Sequence, residues 1–177
     1  MTKEVNIDIG GGSKAEYFSA LASIKKDELF IVLDPKKFKC HYVNIYPSLQ
    51  PMRWGATQNW ELPFRSRSVD RAHLNFVYDF ISAWGLDELP YQKLISSLKR
   101  VLKPNGQVFV REPKIPLEIL REFFEREGFV ISESVRIEKQ NQTPTYASFI
   151  KWAKKDPVGE QQSIYFPMEF VATLAPQ

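Results

Sequence analysis

Cys40 is the only cysteine in 177 residues, so neither an internal disulfide nor a thiolate metal cluster can form within the chain. The two histidines, His41 and His73, are too few for a histidine-rich metal site, and no metal is expected. No apolar run approaches the roughly 20 residues needed to span a bilayer. Met1-Thr2-Lys3 leads directly into a strand-like pattern without signal-peptide architecture. These absences lead to the expectation of a cytoplasmic protein with no membrane partner. Repeats at solenoid periods and low-complexity blocks are also lacking. The formal net charge of +3 is too small to imply a general polyanion-binding role. The small basic clusters, such as Arg65 with Arg67 and Lys151 with Lys154-Lys155, read as solvated faces, so nucleic acid is a permitted but not a favoured partner.

What is present is a composition suited to one core: 44% hydrophobic residues in a length that accommodates a single domain more easily than two. Val5, Ile7 and Ile9 alternate with polar residues before Gly10-Gly11-Gly12, the pattern of a buried strand ending in a tight turn. Ala15, Phe18, Leu21 and Ala22 then recur at helical spacing, and Leu29 to Leu33 form a continuous apolar run closed by Asp34-Pro35. Strand, helix, strand is a parallel crossover unit. Residues 36–51 read as a loop bounded by Pro47 and Pro51, with a third strand expected over Met52 to Gln58 and a fourth over Asp70 to Phe80.

The second half repeats the alternation. Tyr91, Leu94, Ile95, Leu98, Val101 and Leu102 lie on one stripe of a helix expected from Tyr91 to Lys103, ended by Pro104-Asn105-Gly106. A strand from Gln107 to Arg111 follows. Pro116 opens another helix with Leu117, Leu120, Phe123 and Phe124 inward, stopped by Gly128. Phe129 to Glu138 and Tyr146 to Trp152 leave no room for a helix between them and are expected to pair antiparallel. The predicted class is α/β: a Rossmann-like, mostly parallel sheet with a C-terminal antiparallel strand pair and helices on both faces. Residues 1–155 form the expected domain, and 156–177 an apolar tail packing on the core or on a partner.

Gly10 and Gly12 allow positive φ and a close approach of ligand to backbone. With Asp34 at the end of the second strand, they suit either a nucleoside whose ribose hydroxyls donate to a carboxylate or a tight structural turn beside a solvent-exposed acid. Gly10, Gly12 and Ala15 also match the dinucleotide pattern G-x-G-x-x-A, so two cofactor classes fit the turn itself.

Taken together, the segments IDIGGGSK, IVLDP, LPFRSRSVD, LKRVLKPNGQVFVREP and EREGFVISES resemble, in order, the motifs of class I S-adenosylmethionine-dependent methyltransferases. The resemblance covers Val5 to about Lys154. It implies S-adenosyl-L-methionine as cofactor, with Asp8, Gly10 and Gly12 at its methionine end, Asp34 on the ribose, Pro35 against the adenine, and Gln58 with Asn59 near the adenine amine. Lys14 stands where the family has a third glycine and Gln58 where it usually has an acid, while Arg65-Ser66-Arg67 replaces a segment that is normally acidic or small. The implied activity is in-line methyl transfer to an unidentified acceptor, and the expected partner is a small-molecule acceptor or a protein partner. The alternative is a catalytically inactive methyltransferase-like binding or assembly subunit; a nicotinamide-dependent oxidoreductase ranks third. Methyl transfer needs chiefly alignment. Candidates for an assisting base are His73, Tyr78, Asp79 and Glu112, each with a structural role as its alternative.

Overall fold

The computed structural model describes residues 4–9, 28–34, 49–53, 60–75, 89–136 and 167–176. Five strands, β1 (Glu4–Ile9), β2 (Glu28–Asp34), β3 (Leu49–Arg53), β4 (Val69–Asn75) and β5 (Leu102–Pro113), run parallel to one another. Helix α1 (Leu89–Val101) joins β4 to β5, and α2 (Lys114–Arg126) leads from β5 to β6 (Phe129–Ile131). Two more strands, β7 (Val135–Arg136) and β8 (Pro167–Leu174), complete an eight-stranded sheet of order β3-β2-β1-β4-β5-β8-β6, with β7 also on β8. The order reverses direction between β1 and β4, which marks the topological switch point of a doubly wound sheet.

Register divides the side chains into two faces, because directly paired residues point the same way and successive ones alternate. Ile7, Ile9, Ile31, Leu33, Ala72, Leu74, Val108, Val110, Phe170 and Ala172 share one face and are all buried. The apolar stripes of both helices cover it. Leu94, Ile95, Leu98 and Val101 come from α1, and Leu117, Leu120, Phe123 and Phe124 from α2. Right-handed crossovers place both helices on that side, and the Tyr91 and Phe123 rings stack between them at 5.9 Å. Phe124, fully buried, meets Phe129 and Phe170 edge-on at 5.1 and 5.8 Å, a favoured aromatic geometry. The connections 10–27 and 35–48, including the helix expected from Lys14 to Lys25, lie outside the described residues.

Helix ends follow local chemistry. Pro90 sits in the first turn of α1 and Pro116 in that of α2, where a missing N–H costs no intrahelical bond. At the other end of α1, the Arg100 and Val101 carbonyls accept hydrogen bonds from the Arg67 and Ser68 backbone N–H groups, so the chain entering β4 caps the helix. Gly128 closes α2 in the left-handed region (φ 84°), its N–H donating to the Glu125 carbonyl, the usual role of glycine just past a helix.

Several boundaries differ from the sequence expectation. β3 is described as Leu49–Arg53, so it begins inside the expected 36–51 loop and includes Pro51; residues 54–58 of the strand expected from Met52 to Gln58 lie outside the described residues. β3 is an edge strand, where a residue without an N–H can be accommodated. β4 begins at Val69 and is described to Asn75; 76–80 lie outside the described residues. β5 starts at Leu102, directly after α1, and the Pro104-Asn105-Gly106 turn is a bulge within it. Two steps along β4, Val69 to Arg71, match five along β5, Leu102 to Gln107. Asn105 there has φ 63°, and a Cβ on Gly106 would lie 2.8 Å from the Lys103 carbonyl oxygen.

The largest correction concerns the C-terminus. The antiparallel partner of both β5 and β6 is Pro167–Leu174, within the stretch expected to be a covering tail; Tyr146 to Trp152 lies outside the described residues. Residues 167–174 are therefore an internal strand of the sheet. The strand expected from Phe129 to Glu138 is split, because four steps from Ile131 to Val135 face three on β8, from Ala172 to Glu169. At this bulge the Ser132 hydroxyl accepts a hydrogen bond from the Val171 N–H, and the Ser132 N–H donates to the Val171 carbonyl, both at 2.9 Å.

Candidate functional site

All five parallel strands end at one rim of the sheet. Ile9 pairs with Leu33 and Leu74, Asp34 with Arg53, and Asn75 with Arg111, so the last residues of β1, β2, β3 and β4 form a line flanking the switch point. Ligands of open α/β sheets bind beyond this rim. The register puts the backbone of Asp34 at the end of β2, one strand away from Asp8 near the end of β1. The Asp34 side chain lies outside what the structure describes, as do Gly10, Gly12, Lys14, Pro35, Gln58, Asn59, Tyr78 and Asp79.

Asp8 is fully buried and stands directly opposite His73 on β4, which in turn pairs with Phe109 on β5. The three side chains occupy the face not covered by α1 and α2. His73 is 3% exposed, and its ring stacks on Phe109 at 4.9 Å. Burial, reinforced by the positive charges of Arg111 and Arg71, pushes its pKa down to about 3, so the imidazole is neutral across the physiological range. A group so weakly basic is a poor proton acceptor for catalysis near neutrality. Its geometry is that of a packed, neutral side chain next to the Asp8 carboxylate.

Glu112, another base candidate, is fully buried at the end of β5. Its register opposite Met168 puts it on the α1/α2 side of the sheet, the other face from Asp8 and His73. The structure therefore brings Asp8 and His73 together but separates Glu112 from them. On the Asp8 side, the ends of β5 and β8 carry instead an ion pair, Arg111 to Glu169 at 2.5 Å, with both side chains mostly buried. Sequence reasoning missed this pair, since its members are 58 residues apart and Glu169 fell in the presumptive tail. Arg111 acts electrostatically on His73, so the rim behind Asp8 is a row of polar groups inside an otherwise apolar sheet. Among the described residues, no group of three or more metal-ligating side chains is present, and no helix is long and apolar enough to cross a membrane.

The segment that leads from Trp60 into β4 is held by hydrogen bonds from α1. Trp60 is buried with φ 62°, an unusual conformation for a bulky residue. The Leu62 N–H donates to the Ser97 hydroxyl at 2.8 Å. The Arg100 guanidinium donates to the Leu62 and Phe64 carbonyls, both at 2.7 Å. One arginine fork from α1 thus fixes the path of 60–64, the residues immediately after Gln58 and Asn59.

No family model matches the chain, and no curated protein matches it significantly. Solved structures do. A SAM-dependent methyltransferase from Aquifex aeolicus superposes with a TM-score of 0.66 at 15% identity, covering 99% of this chain and 85% of that one. A complex between the Haloferax volcanii Trm112 methyltransferase activator and a methyltransferase gives 0.64 at 16% identity, covering 99% and 84%. The Haemonchus contortus phosphoethanolamine N-methyltransferase 2, in complex with S-adenosyl-L-methionine, gives 0.61 at 16% identity; 99% of this chain is covered but only 49% of that one. With the strand order and the C-terminal antiparallel strands, these likenesses define the class: the chain has the class I S-adenosylmethionine-dependent methyltransferase fold.

Proposed function

We propose that this protein is an S-adenosylmethionine-dependent methyltransferase that transfers a methyl group in line to an acceptor nucleophile. The observation that carries the proposal is the switch-point rim, where a buried acid near the end of β1, Asp8, stands one strand from Asp34 at the end of β2. That spacing suits an adenosyl ligand laid across the rim, its ribose on Asp34 and its amino-acid end over the turn after Ile9. The buried Asp8 carboxylate is compatible with a cationic ligand nearby. When bound, the cofactor supplies the electrophilic methyl group. The chain's task is to hold donor and acceptor aligned, and no residue is assigned as a general base, because His73 is neutral and Glu112 faces away.

The experiment is incubation of the protein with methyl-labelled S-adenosylmethionine and a cell extract, followed by fractionation. Label appearing in one small-molecule or protein fraction, dependent on the protein and lost in Asp34→Ala, supports the proposal. No cofactor binding and no label transfer, with the protein recovered in a stable heteromeric complex, supports instead the second reading, a catalytically silent binding or assembly module with this fold. Lys14, in place of the family's third glycine, favours that second reading, since an ammonium near a sulfonium is repulsive.

A further inference from the structure

The rim of the sheet opposite the switch point carries a cleft of about 430 Å³, within the size range of small-molecule sites. One wall is polar, made by Ser66 and Arg67 from the turn entering β4 and by Lys99 and Arg100 from the last turn of α1. The other is apolar, made by Leu102 and Pro104 at the start of β5 and by Leu174 and Ala175 at the end of β8. Every one of these residues is described. β7 ends and β8 begins at the far rim, since Arg136 pairs with Met168 and Pro167 with Pro113.

Charge decides what the cleft takes. The Lys99 ammonium lies 3.5 Å from the Glu127 carboxylate, which also accepts a hydrogen bond from the Ser96 hydroxyl at 2.9 Å. Arg100 donates to the Leu62 and Phe64 carbonyls and to the Ser97 hydroxyl, neutral groups that leave its charge uncompensated. The Arg67 side chain has no hydrogen bond or ion pair among the described residues. Three cations against one carboxylate therefore leave an excess of two positive charges. The C-terminal end of the α1 dipole offsets about half a charge of that, and the Arg67 and Ser68 N–H groups already occupy the Arg100 and Val101 carbonyls. What remains equals the charge of a phosphate monoester, about −1.5 to −2 at neutral pH, and exceeds that of a single carboxylate. Arg67 also stands at φ 54°, a left-handed conformation that suits glycine and is costly for a residue with a Cβ. Such outliers gather at ligand sites. From these we infer that the cleft is a binding site for a small organic phosphate, its phosphoryl group on Arg67, Lys99 and Ser66 and its apolar body against Pro104 and Ala175. A guanidinium fork suits phosphoryl oxygens in particular. The site lies at the other end of the strands from Asp8 and Asp34, so it is separate from the rim proposed for the cofactor.

The test is calorimetric titration of the intact protein with phenyl phosphate, a probe without an adenosyl group, at low ionic strength, where charge attraction is least screened. One site per chain with a dissociation constant on the order of 1 mM is expected. Inorganic phosphate, which lacks the apolar body, should bind about tenfold more weakly. Arg67→Gly fits the left-handed backbone, so it should fold with an unchanged or raised melting temperature while its affinity for the probe falls about tenfold. Should it unfold, Arg67→Asn, also at home at positive φ, provides the same comparison. Asp34→Ala, at the opposite rim, should bind the probe as the intact protein does. No heat from the intact protein at about 10 mM probe overturns the inference. So does binding undiminished in Arg67→Gly, or binding lost in Asp34→Ala. Inorganic phosphate bound as tightly as phenyl phosphate overturns it equally, since surface charge alone would then hold the ion.

Discussion

His73 is where burial most visibly overrides a side chain's ordinary chemistry. Its pKa is lowered in the folded state from 6.5 to about 3, so below pH 6.5 the unfolded chain binds a proton that the folded chain refuses. Stability from this group is intact above pH 6.5, falls as the pH drops, and stops falling near pH 3. The slope is at most about 1.4 kcal/mol per pH unit. Denaturant titrations at successive pH values between 6.5 and 4 should therefore show a shallower loss for His73→Gln than for the wild type; parallel curves would place the imidazole in a solvated setting. Gly106 poses a purely steric demand. Gly106→Ala brings a methyl group to 2.8 Å from the Lys103 carbonyl oxygen, so a loss of about 1–3 kcal/mol is expected, read as a lower urea midpoint at unchanged slope.

Among the elements, β8 is the one on which the C-terminal half depends, since it hydrogen-bonds to β5 on one side and to β6 and β7 on the other. A chain ending at residue 166 leaves Phe124 without Phe170 and β5 and β6 without their antiparallel partner. It should lose its cooperative thermal transition; retention of that transition would contradict the sheet order. The α1 clamp acts more locally: Arg100→Ala removes the donors to the Leu62 and Phe64 carbonyls and should cost about 1–3 kcal/mol. Both helices were legible in the sequence, because the stripes Tyr91-Leu94-Ile95-Leu98 and Leu117-Leu120-Phe123-Phe124 carry helical period, although Pro104-Asn105-Gly106, read as the turn that ends the first, lies inside β5. β8 was not. The apolar stretch 164–171 reads no differently from a covering tail, and the pairing that puts 167–174 between β5 and β6 is long-range and encoded in no local pattern. Asp34 was readable from its place at the end of the second apolar run, whereas Asp8 was singled out only through the resemblance to methyltransferase motifs. That His73 and Glu112 lie on opposite faces required the register between β4, β5 and β8.

The molecule as a whole carries a widely shared fold with a particular rim. Solved structures at 15–16% identity match over 99% of the chain, and identity so low fixes the architecture while leaving chemistry to the site. The fold is secured by apolar contact on the α1/α2 side of the sheet, and the other side bears the polar row of Asp8, His73 and the Arg111–Glu169 pair. This division lets the rim keep buried polar groups, which are costly to desolvate, on a core that holds without them. The most direct test of the account is isothermal titration of the intact protein with S-adenosylhomocysteine, the demethylated form of the cofactor, beside a folded Asp34→Ala variant. One site per chain, with heat that vanishes in the variant, is predicted; no heat from the intact protein at about 1 mM ligand, where even weak complexes form, would contradict it.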